Sequence, residues 1–261
     1  MRLVTSLIPN DPADDVPAYD VAVVIDVLRA TSVATVALAA GAAEILTCRE
    51  IADARVLADA SRGDATAALL CGERGCRPID GFDLGNSPAE YSPERVAGRQ
   101  LIFTTTNGTR AIHTAATARS MLLASFLNLS AVVEALSGVE SVHLVCAGTD
   151  GVVTGEDVLL AGAIVDRCCS QREGDCTLDD ASSIARSWWQ SRIPTPDPAS
   201  LAKQLAQTTG GRNLIRVGYE SDLIRCAAID TVPVVPRRSR IAPTGFTLAH
   251  SVAVQPMAFE K

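Results

Sequence analysis

Three segments of this chain gather hydroxyls, glycine, arginine and carboxylate immediately after an apolar, β-branched run. They are Asp26-Val27-Leu28-Arg29-Ala30-Thr31-Ser32, Thr104-Thr105-Thr106-Asn107-Gly108-Thr109-Arg110 and Cys146-Ala147-Gly148-Thr149-Asp150-Gly151. Backbone N–H groups at a helix start attract anions, and arginine adds a planar fork that fits phosphate or sulfonate. Thr31, Ser32, Thr105, Thr106, Gly108, Arg110, Gly148 and Thr149 are therefore expected to bind a small molecule bearing several anionic groups. Arg74, just beyond an apolar run ending at Cys71, is expected to join them, and Arg29 and Asn107 to take part in catalysis.

Asp26 stands at the end of an otherwise apolar strand, a place where a carboxylate is poorly tolerated inside a sheet and natural at its functional edge. There it can hold a metal, accept a proton or attack phosphorus; the plainer alternative is a cap on the helix that follows. Glu73, Glu156 and Asp157 are further acids close to such edges, although the macrodipole alone favours acids in a helix's first turn. With Asp26 they offer enough hard oxygen ligands for one Mg²⁺, whereas His113, His143 and His250 form no zinc spacing. Turn formation accounts for Asp80, Asp83, Asn86 and Ser87 in the segment 72–91, a long irregular stretch of the kind that is commonly functional.

Two familiar phosphoryl-transfer signatures fail. Cys71 and Arg77 have a Cys-x5-Arg spacing, but Pro78 and Gly81 stand where an anion-cradling helix would have to begin. Asp26-Val27-Leu28 lacks the second aspartate of the aspartate-x-aspartate phosphatases, and no Gly-x-x-x-x-Gly-Lys-Ser/Thr loop occurs.

The elements that must position these residues read as strand followed by helix, repeatedly. The patterns predict strands over 21–26, 43–48, 67–71, 101–105, 121–125 and 142–146, with helices over 32–40, 51–61, 107–118 and 130–136. Thr154-Gly155-Glu156-Asp157 opens a further helix to about 169. Helices over 178–191, 200–208 and 214–226 and a short strand over 231–235 complete the reading. The expected fold is a three-layer α/β/α single domain over 1–261 with a largely parallel, or mixed, central sheet. A mainly helical segment over about 176–228 packs on it, as a cap or as a layer. Parallel strands would align the three polar segments along one carboxyl edge.

Bulk composition narrows the partners. A net charge of −7 and a pI near 5.0 argue against nucleic acid and membrane surfaces, so any anion must be held by local design. All but two of the 23 lysine and arginine residues are arginine, a bias that coding composition explains as well as function does. The eight cysteines have no repeated spacing, and Pro9-Asn10-Asp11-Pro12 follows the first residues too soon for a secretory leader. Free thiols in a reducing cytoplasm are expected.

As whole strings, the segment Val24 to Ser32, Gly81-Phe82-Asp83-Leu84-Gly85-Asn86-Ser87-Pro88, Thr105 to Ala111, and Cys146 to Thr149 with Glu156-Asp157 resemble the 2-phosphosulfolactate phosphatase family. A later Asn213-Leu214, Gly218-Tyr219 and Asp222-Leu223 segment matches as well, and the resemblance spans roughly residues 20 to 236. It implies a Mg²⁺-dependent phosphatase converting 2-phospho-3-sulfolactate to 3-sulfolactate, a step of coenzyme M biosynthesis, on a layered α/β/α fold. The expected metal ligands are Asp26, Glu73, Glu156 and Asp157, with Asp26 also the candidate nucleophile; a homodimer is compatible with this reading. A broader phosphatase for 2-hydroxy acid phosphates and a non-catalytic organic-anion sensor are the competing expectations.

Overall fold

The computed structural model describes residues 1–9, 18–60, 67–172, 175–239, 242 and 244–248. Asn10, Asp11, Pro12, Ser61, Arg240, His250 and Lys261 lie outside these residues. The strands are β1 (Arg2–Ser6), β2 (Val21–Ile25), β3 (Glu44–Thr47), β4 (Leu69–Arg74), β5 (Arg77–Pro78), β6 (Gln100–Thr104), β7 (Ser120–Ala124), β8 (Ser141–Cys146), β9 (Thr177–Leu178), β10 (Pro236–Arg238) and β11 (Gly245–Leu248). The helices are α1 (Ala30–Ala39), α2 (Ile51–Ala60), α3 (Pro93–Val96), α4 (Gly108–Thr114), α5 (Leu129–Ala135), α6 (Gly155–Gln171), α7 (Asp180–Arg192), α8 (Pro198–Gln207), α9 (Thr209–Arg216) and α10 (Ser221–Cys226).

These strands form one mixed sheet in the order β5-β4-β6-β3-β11-β10-β7-β2-β8-β1-β9, with helices on both faces, an α/β/α fold. Two parallel groups, β4-β6-β3 and β7-β2-β8-β1, are joined by an antiparallel hairpin, β10–β11. Following the pairing signs across that hairpin, the two groups run in opposite senses. A flat sheet would put their carboxyl ends on opposite edges. Strand twist of roughly 20–25° per step accumulates across such a ladder, and here the ends of β2 and β8 meet those of β4 and β6 in one cleft. The single straight carboxyl edge expected from the sequence is thus replaced by a fold-over of two edges.

The central strand β2 is buried throughout, as its unbroken apolar run requires. Val21, Val23 and Ile25 face one core with Leu144, Phe126, Leu160 and Trp189, while Ala22 and Val24 face the other with Leu38, Leu101, Phe103 and Phe246. Phe126 and Trp189 stack with ring centroids 5.9 Å apart. All eight cysteines are free, six of them buried, in keeping with small apolar packing. Among the described residues no helix is long and apolar enough to cross a membrane.

Three local differences from the sequence reading stand out. The last predicted strand is displaced from 231–235 to β10, because Pro233 lacks a ladder donor and Asp230 adopts a φ of 58°. The predicted helix over 214–226 is broken into α9 and α10, with Gly218 at a φ of 85° that a helix cannot contain. β1 was not anticipated; it pairs with β8 and β9.

Candidate active site

A cleft at the meeting of the two edges is lined by Asp26 and Arg29 beyond β2, Glu73 near the end of β4 and Cys76 just past it, Asn107 beyond β6, and Gly148 and Thr149 beyond β8. Glu156 and Asp157 of α6, Asn86 of the 81–88 loop, and Gly210 and Asn213 of α9 close it. All three polar segments singled out in the sequence therefore converge.

Their convergence is built by carboxylates that accept backbone N–H groups. Asp157 accepts the Val27 N–H at 2.9 Å on one oxygen and the Gly148 N–H at 2.9 Å on the other, tying the β2 and β8 loops together. Glu73 does the same between β4 and β6, accepting the Cys76 N–H at 2.7 Å and both the N–H and the hydroxyl of Thr106 at 3.0 Å. Asn107 joins the β6 and β8 loops by accepting the Asp150 N–H at 3.1 Å. Asp26 accepts the Ala30 N–H at 3.1 Å on Oδ1, the capping role, and leaves Oδ2 without a hydrogen bond beside Gly108. Cap and functional group are thus the same residue, acting through different oxygens.

The second wall is organised around Arg29, which follows a cis Leu28–Arg29 peptide. Its Nη1 donates to Asp222 of α10 at 2.7 Å, its Nη2 donates to the Cys76 carbonyl at 3.0 Å, and its guanidinium lies 4.3 Å over the Tyr219 ring. Asp222 also accepts the Ser87 hydroxyl at 2.7 Å and lies 3.7 Å from Arg225. The helical segment therefore supplies part of the cleft: α9 lines it, α10 holds Arg29 through Asp222, and α7 packs on α6 and β1.

The sequence matches the family model described as 2-phosphosulpholactate phosphatase over residues 7–240. This chain belongs to that family. A relative from Deinococcus radiodurans, named a probable 2-phosphosulfolactate phosphatase, is 42% identical over 239 residues, covering 90% of this chain and 92% of the relative. Similarly named relatives from Thermotoga petrophila and Caldanaerobacter subterraneus are each 40% identical, covering 82% of this chain and 87% and 86% of their own lengths. As a member of this phosphatase family the chain is a phosphoric monoester hydrolase.

The phosphatase cleft is more acidic than a site for anions alone would be. Asp26, Glu73, Glu156 and Asp157 are all buried, and among the described residues the one cation lining the cleft, Arg29, is already paired. Burial pushes Asp26 up to about 7, with the charges of Glu73 and Glu156 adding to the rise. Burial likewise raises Glu156, and raises Asp157 well above the carboxylate range with the Glu156 and Asp26 charges adding. Glu156 Oε2 is buried with no hydrogen-bond partner. Its Oε1 lies against α9, where a Cβ on Gly210 would come within 2.0 Å, so only glycine allows that approach.

Several residues expected to bind substrate are instead part of the frame. Thr31 donates its hydroxyl to the Asp26 carbonyl at 2.8 Å, and Ser32 donates to the Val27 carbonyl at 2.8 Å; neither lines the cleft. The first N–H groups of α1 are consumed by Asp26, and those of Gly148 and Thr149 by Asp157 and Val152. Arg74 is turned away, donating to the carbonyls of Glu73 and Arg49 and to the Thr104 hydroxyl. Thr105 is buried beside Gly108 outside the cleft, Thr106 serves Glu73, and Arg110 is exposed near Gly151. In the other direction, Asn86, Asn213 and Asp222 were known from the sequence only as members of matching strings. Their side chains come from loops and helices distant in sequence, and no local pattern marks them.

Proposed function

We propose that this chain hydrolyses 2-phospho-3-sulfolactate to 3-sulfolactate and phosphate with Mg²⁺ bound at Asp26 and Glu156. The observation that supports the reading is the composition of the cleft: four buried acids face one paired arginine, and a cation bound among them would offset the charge that a substrate with phosphate, sulfonate and carboxylate brings. Asp26 Oδ2 and Glu156 Oε2 are the oxygens left free for one. Among the described residues no three His, Cys, Asp or Glu side chains form a ready cage. That suits Mg²⁺, which is commonly held by one or two carboxylates, with phosphate oxygens and waters completing its octahedron. Glu73 and Asp157, expected from the sequence as further ligands, have backbone N–H groups on their oxygens and act in this reading as the clamps that hold the loops.

Bound there, Mg²⁺ would offset charge on the phosphoryl oxygens and acidify water. The chain's own groups do the rest. Asn107 is held by its oxygen and offers Nδ2, and Thr149 offers its hydroxyl, as donors to phosphoryl oxygens on the β6–β8 side. Arg29 presents positive charge on the opposite side in a fixed plane, so no reorganisation is needed as charge moves to the leaving oxygen. Asp26 is fixed through Oδ1 and acts through Oδ2.

Phosphate release from 2-phospho-3-sulfolactate, 2-phospholactate and 2-phosphoglycerate, with and without Mg²⁺, tests this. The sulfonated substrate should be turned over fastest, and chelation should abolish the reaction. Equal rates on all three would support the broader phosphatase, and sulfolactate binding without any phosphate release the anion sensor.

A further inference from the structure

A second cavity, of about 280 Å³, opens among α6, α7, α8 and α9 and shares a wall with the cleft. Residues of that wall face the two spaces in turn: Gly155 lines the cavity and Glu156 the cleft, Thr209 the cavity and Gly210 the cleft, Arg212 the cavity and Asn213 the cleft. The wall has no slack. A Cβ on Gly155 would come within 2.6 Å of Trp188, and one on Gly210 within 2.0 Å of Glu156. The charge of the cavity is the reverse of that of the cleft. Arg192, with its guanidinium 5.9 Å from the Trp188 ring, and Arg212 both line it, and no acid among the described residues does. Arg212 is steadied by donating to the Gln207 carbonyl and the Thr209 hydroxyl. Neither arginine has a carboxylate partner among the described residues, although the chain carries a net charge of −7.

We infer that this cavity is a second, regulatory anion site, which takes a phosphate or a small phosphate ester and thereby tightens Mg²⁺ binding in the cleft. Two guanidinium forks in one concave site match the oxygens of a phosphoryl group. The volume is at the lower end of small-molecule sites, which leaves room for a small organic group on the phosphate. Positive charge behind the wall disfavours a cation at Glu156 in front of it, and an anion that neutralises the two arginines removes that opposition. The effect is reciprocal, so Mg²⁺ in the cleft favours the anion in the cavity. This coupling rests on the Mg²⁺ reading above; the anion site does not.

Calorimetric titration of the Mg²⁺-free protein with inorganic phosphate and with glucose 6-phosphate tests the site, because without the metal the four buried acids oppose an anion in the cleft. The wild type should bind at least one of them, the tighter one identifying the source. Arg192→Gln and Arg212→Gln, both exposed positions, should each weaken binding at least about tenfold. No binding to the wild type, or binding within about twofold of it in either variant, would overturn the inference. The coupling is read from Mg²⁺ half-saturation, expressed as free Mg²⁺, with and without the anion. It should fall at least about threefold in the wild type and not in Arg192→Gln at the same anion concentration. No fall, or one that persists in Arg192→Gln and so arises in the cleft, would overturn the regulatory role. If the wild type binds no Mg²⁺, the reading of the cleft fails instead, and the anion titration alone decides the site.

Discussion

The two walls of the cleft solve opposite electrostatic problems. On one, Arg29 and Asp222 are both almost completely buried, yet each is matched: guanidinium to carboxylate, carbonyl and aromatic face, carboxylate to arginine and serine hydroxyl. On the other, burial raises the proton affinity of Asp26, Glu156 and Asp157, the charge of Glu156 adds to the rise at the other two, and Glu156 Oε2 is buried with no protein partner. The matched wall is a frame that is expensive to break. The unmatched wall is incomplete without something from solution, and that incompleteness is where chemistry can enter.

Asp26→Asn should strike the unmatched wall hardest, lowering kcat/KM at least about a thousandfold while the Mg²⁺-free protein melts at the same temperature or higher at pH 8. Phosphate release and thermal denaturation on one preparation report both. Asp222→Ala attacks the matched wall and should cost about 3–5 kcal/mol by leaving the Arg29 charge buried and unpaired. Glu156→Gln, by contrast, should change Mg²⁺-free stability by less than about 1 kcal/mol, since Glu156 Oε2 lacks a partner to lose. Equal losses in urea titrations of these two variants would erase the distinction between the walls.

pH sharpens the comparison. Asp26 in the folded protein keeps a proton up to about pH 7, whereas an unfolded chain releases it near pH 4. Between those values the native state binds more protons than the unfolded state, so Mg²⁺-free stability falls as pH rises and levels off above 7. A drop in Tm on the order of 5 °C from pH 5 to 8 is expected, with added Mg²⁺ restoring it at pH 8 through binding to the native state. A Tm that climbs over this interval would contradict the acid-wall picture.

The smallest expected change is Gly210→Ala. Its methyl group would collide with Glu156 Oε1, so half-saturation by Mg²⁺ should rise about tenfold, roughly the 1.4 kcal/mol of a displaced ligand. Stability should move by no more than about 1 kcal/mol, because alanine is the better helix former.

Asp26 was legible in the sequence because it sits at a strand end, where a local rule distinguishes a carboxylate from its apolar neighbours; Glu156 and Asp157 were read as acids opening a helix, and Asn107, Gly148 and Thr149 as polar loop residues after apolar runs. All line the cleft. On the matched wall Arg29 was read from the sequence but its partner was not, because the wall is made by tertiary pairing: Arg29 and Asp222 are 193 positions apart, and Asn86 lies in a loop whose composition turn chemistry already explains. Thr31 and Ser32 misled for a related reason. Their hydroxyls are as well suited to satisfying their own loop as to binding an anion, and the loop takes them. In the fold, the apolar runs of β2, β6 and β8 announced themselves. β10 did not, being three residues long with Pro236 and two arginines and no alternation to read.

Among the described residues the hairpin of β10 and β11 is the strand pairing that links the group carrying Asp26 and Gly148 to the group carrying Glu73 and Asn107, beside the loop hydrogen bonds of Asn107 to Asp150 and Arg29 to Cys76. It is encoded downstream of every residue that lines the cleft. The strand pairing that joins the two ladders is therefore the last part of the sheet to be translated.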